Sequence, residues 1–281
     1  MTLSLTHDIE TEAGAVRYAV LGEGPPLVLV HGTPTSSYIW RKVAPWLARD
    51  FTVYVYDLPG YGQSAQFEGQ DVSMAMQGRV LAGLLDAWGL SAPGIAAHDI
   101  GGGIALRAHL LHGASLGRLA LLDTLAMRPR GGGRWGTSWS RHCRAQGTAA
   151  FEALPEYLHV GILRPYLRSA LHRPVTDEDL EPLVAPWRGE QGQPAFYRQI
   201  RQLDEAYTDE IEPRLHAVSA PAVQLLWGEE DTWLDFDFAE RLNAAIPGSR
   251  LRYLPGAGHF CMEDAPAAVT LELRRFFQAV T

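Results

Sequence analysis

Asp99 stands in the run Gly94-Ile-Ala-Ala-His98-Asp99-Ile100-Gly101-Gly102-Gly103, between a short apolar stretch and a segment of apolar periodicity that ends near His112. Ala97 precedes it by two places; Gly101 and Gly102 follow it by two and three. A sharp turn from strand to helix needs small residues at those places, because a larger Cβ would collide where the chain doubles back. Such a turn holds the residue at its tip in a strained conformation, with the side chain exposed above the sheet. The familiar residue there is Ser; here it is a carboxylate. A carboxylate suits attack on a saturated carbon that carries a leaving group. The carbon becomes esterified to the Asp, and water then hydrolyses that ester at the Asp carbonyl. Attack on an ordinary ester would give an anhydride, so Asp99 argues against a simple esterase.

The second step needs a base. His259, in Gly256-Ala-Gly-His259 after the last strand-like run, is the expected one, since a neutral imidazole takes a proton from water near pH 7. His98 precedes the nucleophile and should point away from its side chain. His31 is expected to brace its own loop. Two acids compete to orient His259: Asp231, in Trp227-Gly-Glu-Glu-Asp231, and Asp123, in Leu122-Asp123-Thr124-Leu125. A carboxylate in that place fixes the imidazole tautomer and stabilises the imidazolium. The oxyanion of the second step calls for preorganised donors, and the backbone N–H groups of Thr33 and Ile100 are the natural pair. Pro34 sets the turn of the Thr33 loop, and a cis bond before it would suit that turn.

These residues depend on the elements around them. Leu3–Ile9 and Ala15–Val20 read as an antiparallel pair. Pro26–Val30 is an unbroken apolar strand, followed by a helix over Tyr38–Ala48 that Ser36 or Ser37 could cap. Phe51–Tyr56 is a strand, Val72–Trp88 a helix, and Arg118–Asp123 the strand after the elbow helix. Strand and helix thus alternate, which specifies a mostly parallel sheet covered on both faces. From residue 125 to 211 the text turns rich in Trp, Tyr, Pro and Arg. Helical pieces are expected there at Ala149–Leu158 and Pro194–Tyr207, and no strand is evident. The alternation resumes with strand Pro221–Trp227, helix Phe236–Ile246, strand Leu251–Leu254 and helix Ala267–Val280. The expected organisation is a core of residues 1–124 and 212–281 with a helical cap of residues 125–211. Ligands in such sheets sit beyond the carboxyl ends of the strands. Asp99, Asp123, Asp231, His259 and the 31–34 loop all fall there.

The chain has 281 residues and a net charge of −8, which argues against nucleic acid or an anionic membrane as partner. Two cysteines, Cys143 and Cys261, supply neither a disulfide framework nor metal-ligand spacing, so a cytoplasmic location is expected. The amino terminus has no signal-peptide pattern, and no apolar run approaches transmembrane length. No cofactor or metal is expected; the partners are a small organic substrate and water, with the protein a monomer or homodimer.

The His31-Gly-Thr-Pro34 loop, the elbow, Trp227-Gly-Glu-Glu-Asp231 and Gly256-Ala-Gly-His259, in that order, resemble the α/β-hydrolases over nearly the whole chain. The Asp at the elbow resembles that of haloalkane dehalogenases, epoxide hydrolases and haloacetate dehalogenases. His31-Gly-Thr-Pro-Thr-Ser-Ser-Tyr-Ile-Trp-Arg41 is especially similar to the haloalkane dehalogenase pattern, which carries Asn in place of Thr33. After the nucleophile the first two families carry Trp and the third Arg, where this chain has Ile100. The resemblance implies a triad of Asp99, Asp231 and His259, with Asp123 as the alternative acid, used in one branch of the dehalogenases. It implies halide-binding indoles, for which Trp135, Trp139, Trp187 and Trp233 are available, or cap phenols acting as acids on an epoxide, for which Tyr157, Tyr166, Tyr197 and Tyr207 are available. Trp40 would wall the pocket or pack its helix. The expected activity is haloalkane dehalogenase-like cleavage of a carbon–halogen bond, with epoxide hydrolysis second. A ligand-binding protein that kept the fold and lost turnover is the reading from another class.

Overall fold

The computed structural model describes residues 3–130 and 138–278. Its centre is an eight-stranded sheet in the order β1-β2-β4-β3-β5-β6-β7-β8. The strands are β1 (His7–Ile9), β2 (Val16–Leu21), β3 (Pro26–Val30), β4 (Thr52–Tyr56), β5 (Gly94–His98), β6 (Leu119–Leu122), β7 (Val223–Gly228) and β8 (Arg250–Leu254). β1 and β2 pair antiparallel, and β2 joins β4 antiparallel; every later pairing is parallel. Leu27 to Val30 are wholly buried, as are Leu119 to Leu122, because helices cover both faces of the parallel part. β3 lies between β4 and β5, so the chain leaves β3 to one side and β5 continues to the other. The crevice at such a reversal, beyond the strand ends, is where ligands bind in open α/β sheets. The loop after β3 and the elbow after β5 meet there.

On the core, α1 (Ala44–Leu47), α2 (Met74–Ala87) and α3 (Ile100–His112) precede β6. Between β6 and β7 lie α4 (Ser138–Gln146), α5 (Ala149–Glu152), α6 (Glu156–Arg168), α7 (Asp177–Val184), α8 (Gly189–Arg201) and α9 (Ala206–Asp209), with no strand among the described residues. α10 (Phe236–Ala245), α11 (Cys261–Asp264) and α12 (Pro266–Gln278) complete the chain. No helix among the described residues is long and apolar enough to cross a membrane.

Proline accounts for most differences from the sequence reading. The helix expected over Tyr38–Ala48 is a 3-10 turn, Ser37–Trp40, followed by α1. Pro45 has no N–H to donate and therefore stands near the start of a new helix rather than inside an old one. Ser36 does cap the first turn, accepting the Tyr38 N–H at 3.3 Å. Pro155 divides the piece expected over Ala149–Leu158 into α5 and α6. Pro194 does not begin its helix; α8 starts at Gly189 and carries Pro194 in its second turn, where the lost donor costs the helix one bond to the Glu190 carbonyl. The first strand is confined to His7–Ile9.

The inserted helices are fastened to the core by specific bonds. Trp187 Nε1–H donates to the Pro34 carbonyl at 2.8 Å, and Trp233 Nε1–H to Ser169 Oγ at 3.0 Å. The buried Asp264 carboxylate accepts the N–H groups of His172 and Arg173 from the insertion, at 2.8 and 3.1 Å, and that of Gly258 from the core, at 2.9 Å. The Phe260 N–H donates to the Ala170 carbonyl at 3.0 Å.

At the elbow a Cβ on Gly101 would stand 2.4 Å from the His31 carbonyl oxygen, and one on Gly102 would stand 2.2 Å from Thr124 Oγ1. Neither contact is possible without movement, and at Gly101 the obstacle is backbone. Gly101→Ala is therefore expected to cost about 1–3 kcal/mol, the usual penalty for overpacking, read as a lower denaturation midpoint in urea. An unchanged midpoint would show that the β3 loop yields freely.

Candidate active site

Asp99 sits between β5 and α3 with φ 54° and ψ −126°, a conformation that L residues rarely adopt. Such strain costs about 1–3 kcal/mol and persists only where the surroundings over-determine it. Here Asp99 donates its N–H to the Leu122 carbonyl at 3.0 Å, and its carbonyl accepts the N–H groups of Gly102 and Leu125 at 3.0 and 3.1 Å. The side chain is thereby lifted above the sheet, 5% exposed.

Its two carboxylate oxygens have different neighbours. Oδ1 accepts the Thr33 N–H at 2.8 Å. The Ile100 N–H opens α3 and has no acceptor within its helix. Oδ2 faces His259 Nε2 at 3.4 Å. His259 is wholly buried, and its Nδ1 lies 2.9 Å from Asp231 Oδ2. Asp231 is held in turn by the N–H groups of Trp233 and Leu234, which donate to its Oδ1 at 2.7 and 2.9 Å. Asp99, His259 and Asp231 thus form one line, drawn from the ends of β5, β8 and β7.

Asp123 is close by but differently used. Its backbone is also strained, at φ 40°. One carboxyl oxygen accepts the Gly228 N–H at 2.7 Å, and the Cys261 thiol contacts the group. Burial, reinforced by the charge of Asp231, holds this carboxyl well above the usual range. The carboxylate on His259 Nδ1 is Asp231, not Asp123.

Burial alone would lower the basicity of His259, but Asp231 and Asp99 flank the ring and their charges hold its pKa well above the ordinary value. His98 turns away from the elbow tip, as expected, with Nε2 2.9 Å from the His259 carbonyl oxygen; burial and its neighbour His259 push it down to about 4. His31 braces its loop: Nε2 accepts the Leu58 N–H at 2.9 Å and Nδ1 lies 2.9 Å from the Gly32 carbonyl. The Thr33–Pro34 bond is cis. Above the triad, Trp233 stacks on His259 at 4.9 Å between ring centres, and Tyr166 of α6 stacks on Trp233 at 4.8 Å. Burial raises the pKa of the Tyr166 phenol, and the charge of Asp99 raises it further. Tyr61 is raised by the same two effects. Gln199 of α8 reaches down from the insertion, its Oε1 accepting the Thr33 hydroxyl at 2.5 Å and the Tyr61 hydroxyl at 3.4 Å.

Residues 25–266 match the family described as alpha/beta hydrolase fold. The chain belongs to that family. Among solved structures, an alpha/beta hydrolase fold protein from Burkholderia ambifaria is 41% identical, with a TM-score of 0.91 over 97% of this chain and 98% of that one. Among curated proteins, haloalkane dehalogenase 2 of Mycobacterium tuberculosis (strain ATCC 25618 / H37Rv) is 28% identical over 92% of this chain and 89% of its own length. A 2-hydroxy-6-oxononadienedioate/2-hydroxy-6-oxononatrienedioate hydrolase of Cupriavidus pinatubonensis is 24% identical over 89% of this chain and 91% of its own. The relatives of this α/β hydrolase therefore span more than one reaction.

The aromatic residues expected around the pocket of this α/β hydrolase are sorted by the structure. Tyr157 is 74% exposed, on a side of α6 away from the buried Leu163 and Leu167, and does not line the site. Tyr197 is spent within the insertion, its hydroxyl 2.9 Å from His159 Nδ1. Trp40 is wholly buried and packs its 3-10 turn into the core. Trp187 and Trp233 have committed their indole N–H groups to Pro34 and Ser169. Tyr207 carries the Arg107 guanidinium over its ring. Trp139 packs against Tyr166 and Phe196 in the insertion, and its Nε1 is buried without a partner. Trp135 lies outside the described residues. Gln199 was not singled out from the sequence, since a Gln in a polar helical stretch carries no signal of its place. Among the described residues no group of three His, Cys, Asp or Glu side chains is disposed to hold a metal.

Proposed function

We propose that this α/β hydrolase works through an Asp99 alkyl ester and acts as a haloalkane dehalogenase-like enzyme on a small organohalide. The observation that carries the reading is the division of labour at Asp99. Oδ1 is tied to the Thr33 N–H, while Oδ2 lies on the His259 side. Oδ2 attacks the carbon, the carbon–halogen bond breaks, and the halide leaves with the electron pair. Oδ1 becomes the ester carbonyl oxygen and is already in the place where donors stabilise the tetrahedral oxyanion of hydrolysis. His259 takes a proton from water and the hydroxide adds at the Asp99 carbonyl carbon; the bond from that carbon to Oδ2 then breaks, the alkoxide leaves as the alcohol with the proton from the imidazolium, and the carboxyl re-formed on Asp99 gives up its proton to solvent. Asp231 orients the ring throughout. No cofactor enters either step. A binding protein without turnover would have no use for a strained Asp99 beside a buried imidazole–carboxylate pair.

Epoxide hydrolysis is the second reading, favoured by Tyr166. Burial raises the pKa of its phenol and the charge of Asp99 raises it further, so it stays protonated, as an acid for a ring oxygen must be. The test is a panel of haloalkanes and terminal epoxides with the unmodified enzyme, followed by halide release and diol formation. A single turnover in H₂¹⁸O with enzyme in excess should place ¹⁸O in the peptide bearing Asp99 and leave the first product unlabelled. Label appearing in the product first, with none in that peptide, would exclude the ester.

A further inference from the structure

Gln199 has a polar group that the structure leaves unused. The side chain is 2% exposed, and its Oε1 is occupied by the hydroxyls of Thr33 and Tyr61. Its Nε2 is buried and has no hydrogen-bond partner. A buried donor left unmet costs about 1–3 kcal/mol, so a sequence that keeps one gains where a ligand supplies the acceptor. The amide is anchored to Thr33, whose own N–H holds Asp99 Oδ1, and to Tyr61, which feels the charge of Asp99. The amide thus stands one residue removed from Asp99, against the loop that supplies the donor to Oδ1. Two of the tryptophans named for a halide, Trp187 and Trp233, have spent their N–H groups on Pro34 and Ser169.

Resting on the Asp99 ester reading, we infer that the Nε2–H of Gln199 is the donor to the departing group, the atom that leaves the attacked carbon with its electron pair. For an organohalide that atom is the halide, which needs a hydrogen bond and no proton. For an epoxide it is the ring oxygen, whose proton comes from the Tyr166 phenol. Gln199 thus acts in the first step alone.

The test follows ester formation in a His259→Gln background, by the gain in intact mass, with 1-chloro-, 1-bromo- and 1-iodoalkanes of one chain length and a terminal epoxide. Two variants at the position are compared. Gln199→Met removes both amide groups. Gln199→Glu, at a pH where it is ionised, keeps the acceptor for Thr33 and Tyr61 and with it the contact between insertion and core, but has no N–H. Both are expected to slow ester formation about 100-fold, as loss of one preorganised donor does. Among the haloalkanes the loss should be greatest for chloride, the poorest leaving group, and least for iodide. Equal rates in all three proteins, or a loss of the same size for every halide, would overturn the assignment and leave the ester intact. If the parent His259→Gln protein forms no ester with any of the four compounds, the ester reading falls and this inference with it.

Discussion

Replacing His259 by Gln is expected to leave Asp99 able to form its ester and unable to lose it. Gln fills much of the space of the imidazole and cannot accept a proton from water at neutral pH. Turnover should fall by about 10³-fold or more, within the range for a missing general base. The folded variant, incubated with a substrate the parent enzyme consumes, should gain the mass of one alkyl group on the peptide that carries Asp99. No gain in mass with such a substrate would remove the covalent step. On the proposed mechanism, the charge arrangement makes His259 a base in the second step and not the first. Burial pulls its pKa down, and the charges of Asp231 and Asp99 together raise it. Forming the ester deletes the negative charge 3.4 Å from Nε2, leaving Asp231 alone against burial. The pKa of the ring therefore falls as the ester appears, when water must be deprotonated. As pH drops through that lowered value the ring is protonated, the base is lost and hydrolysis slows. The parent enzyme should thus accumulate ester at acid pH and not at alkaline pH.

Asp231→Asn and Asp123→Asn should separate just as sharply. Asp231 accepts from His259 and is fixed by two backbone donors, so an amide there presents N–H or a weaker acceptor to Nδ1 and disturbs the tautomer. A loss of about 10³–10⁴ in turnover is expected, of the size found for such changes in serine triads. Asp123 does not touch His259 Nδ1, burial holds its carboxyl well above the usual range, and Asn can still accept the Gly228 N–H, so a change of less than about tenfold is expected. Initial rates with matched circular dichroism spectra would check both. If only Asp123→Asn abolished turnover, the orienting acid would be Asp123.

The elbow was legible because its demands fall on neighbours in the chain. Ala97, Gly101 and Gly102 are small for a local reason, and the strand before them is apolar for a local reason. The alternation of strands and helices placed the ends of β5, β6 and β7 on one rim, and the register does align Ala97 with Val30 and with Leu121. The choice between two acids was legible only through the resemblance, which favoured Asp231; the residues alone leave it open, since each follows a strand and each is an Asp. What separates them is which carboxylate reaches Nδ1, a matter of angstroms. The insertion was least legible. Tyr157 and Tyr166 lie on the same helix, and which one turns inward depends on how α6 packs, not on either residue. Gln199 meets Thr33 across 166 residues, a contact set by the docking of α8 on the loop after β3.

Asp264 bears on how separable the inserted helices are. One buried carboxylate holds the backbone at His172 and Arg173 on the insertion side and at Gly258 on the core side, next to His259. The loop that carries His259 is therefore held partly by the insertion. Exchanging that insertion for another helical segment, as an engineer might do to change substrate range, would also remove two of the three donors that fix this support. In modular terms the inserted helices and the His259 loop are a single part: a graft that keeps that loop in place must bring with it a turn able to present two N–H groups to Asp264.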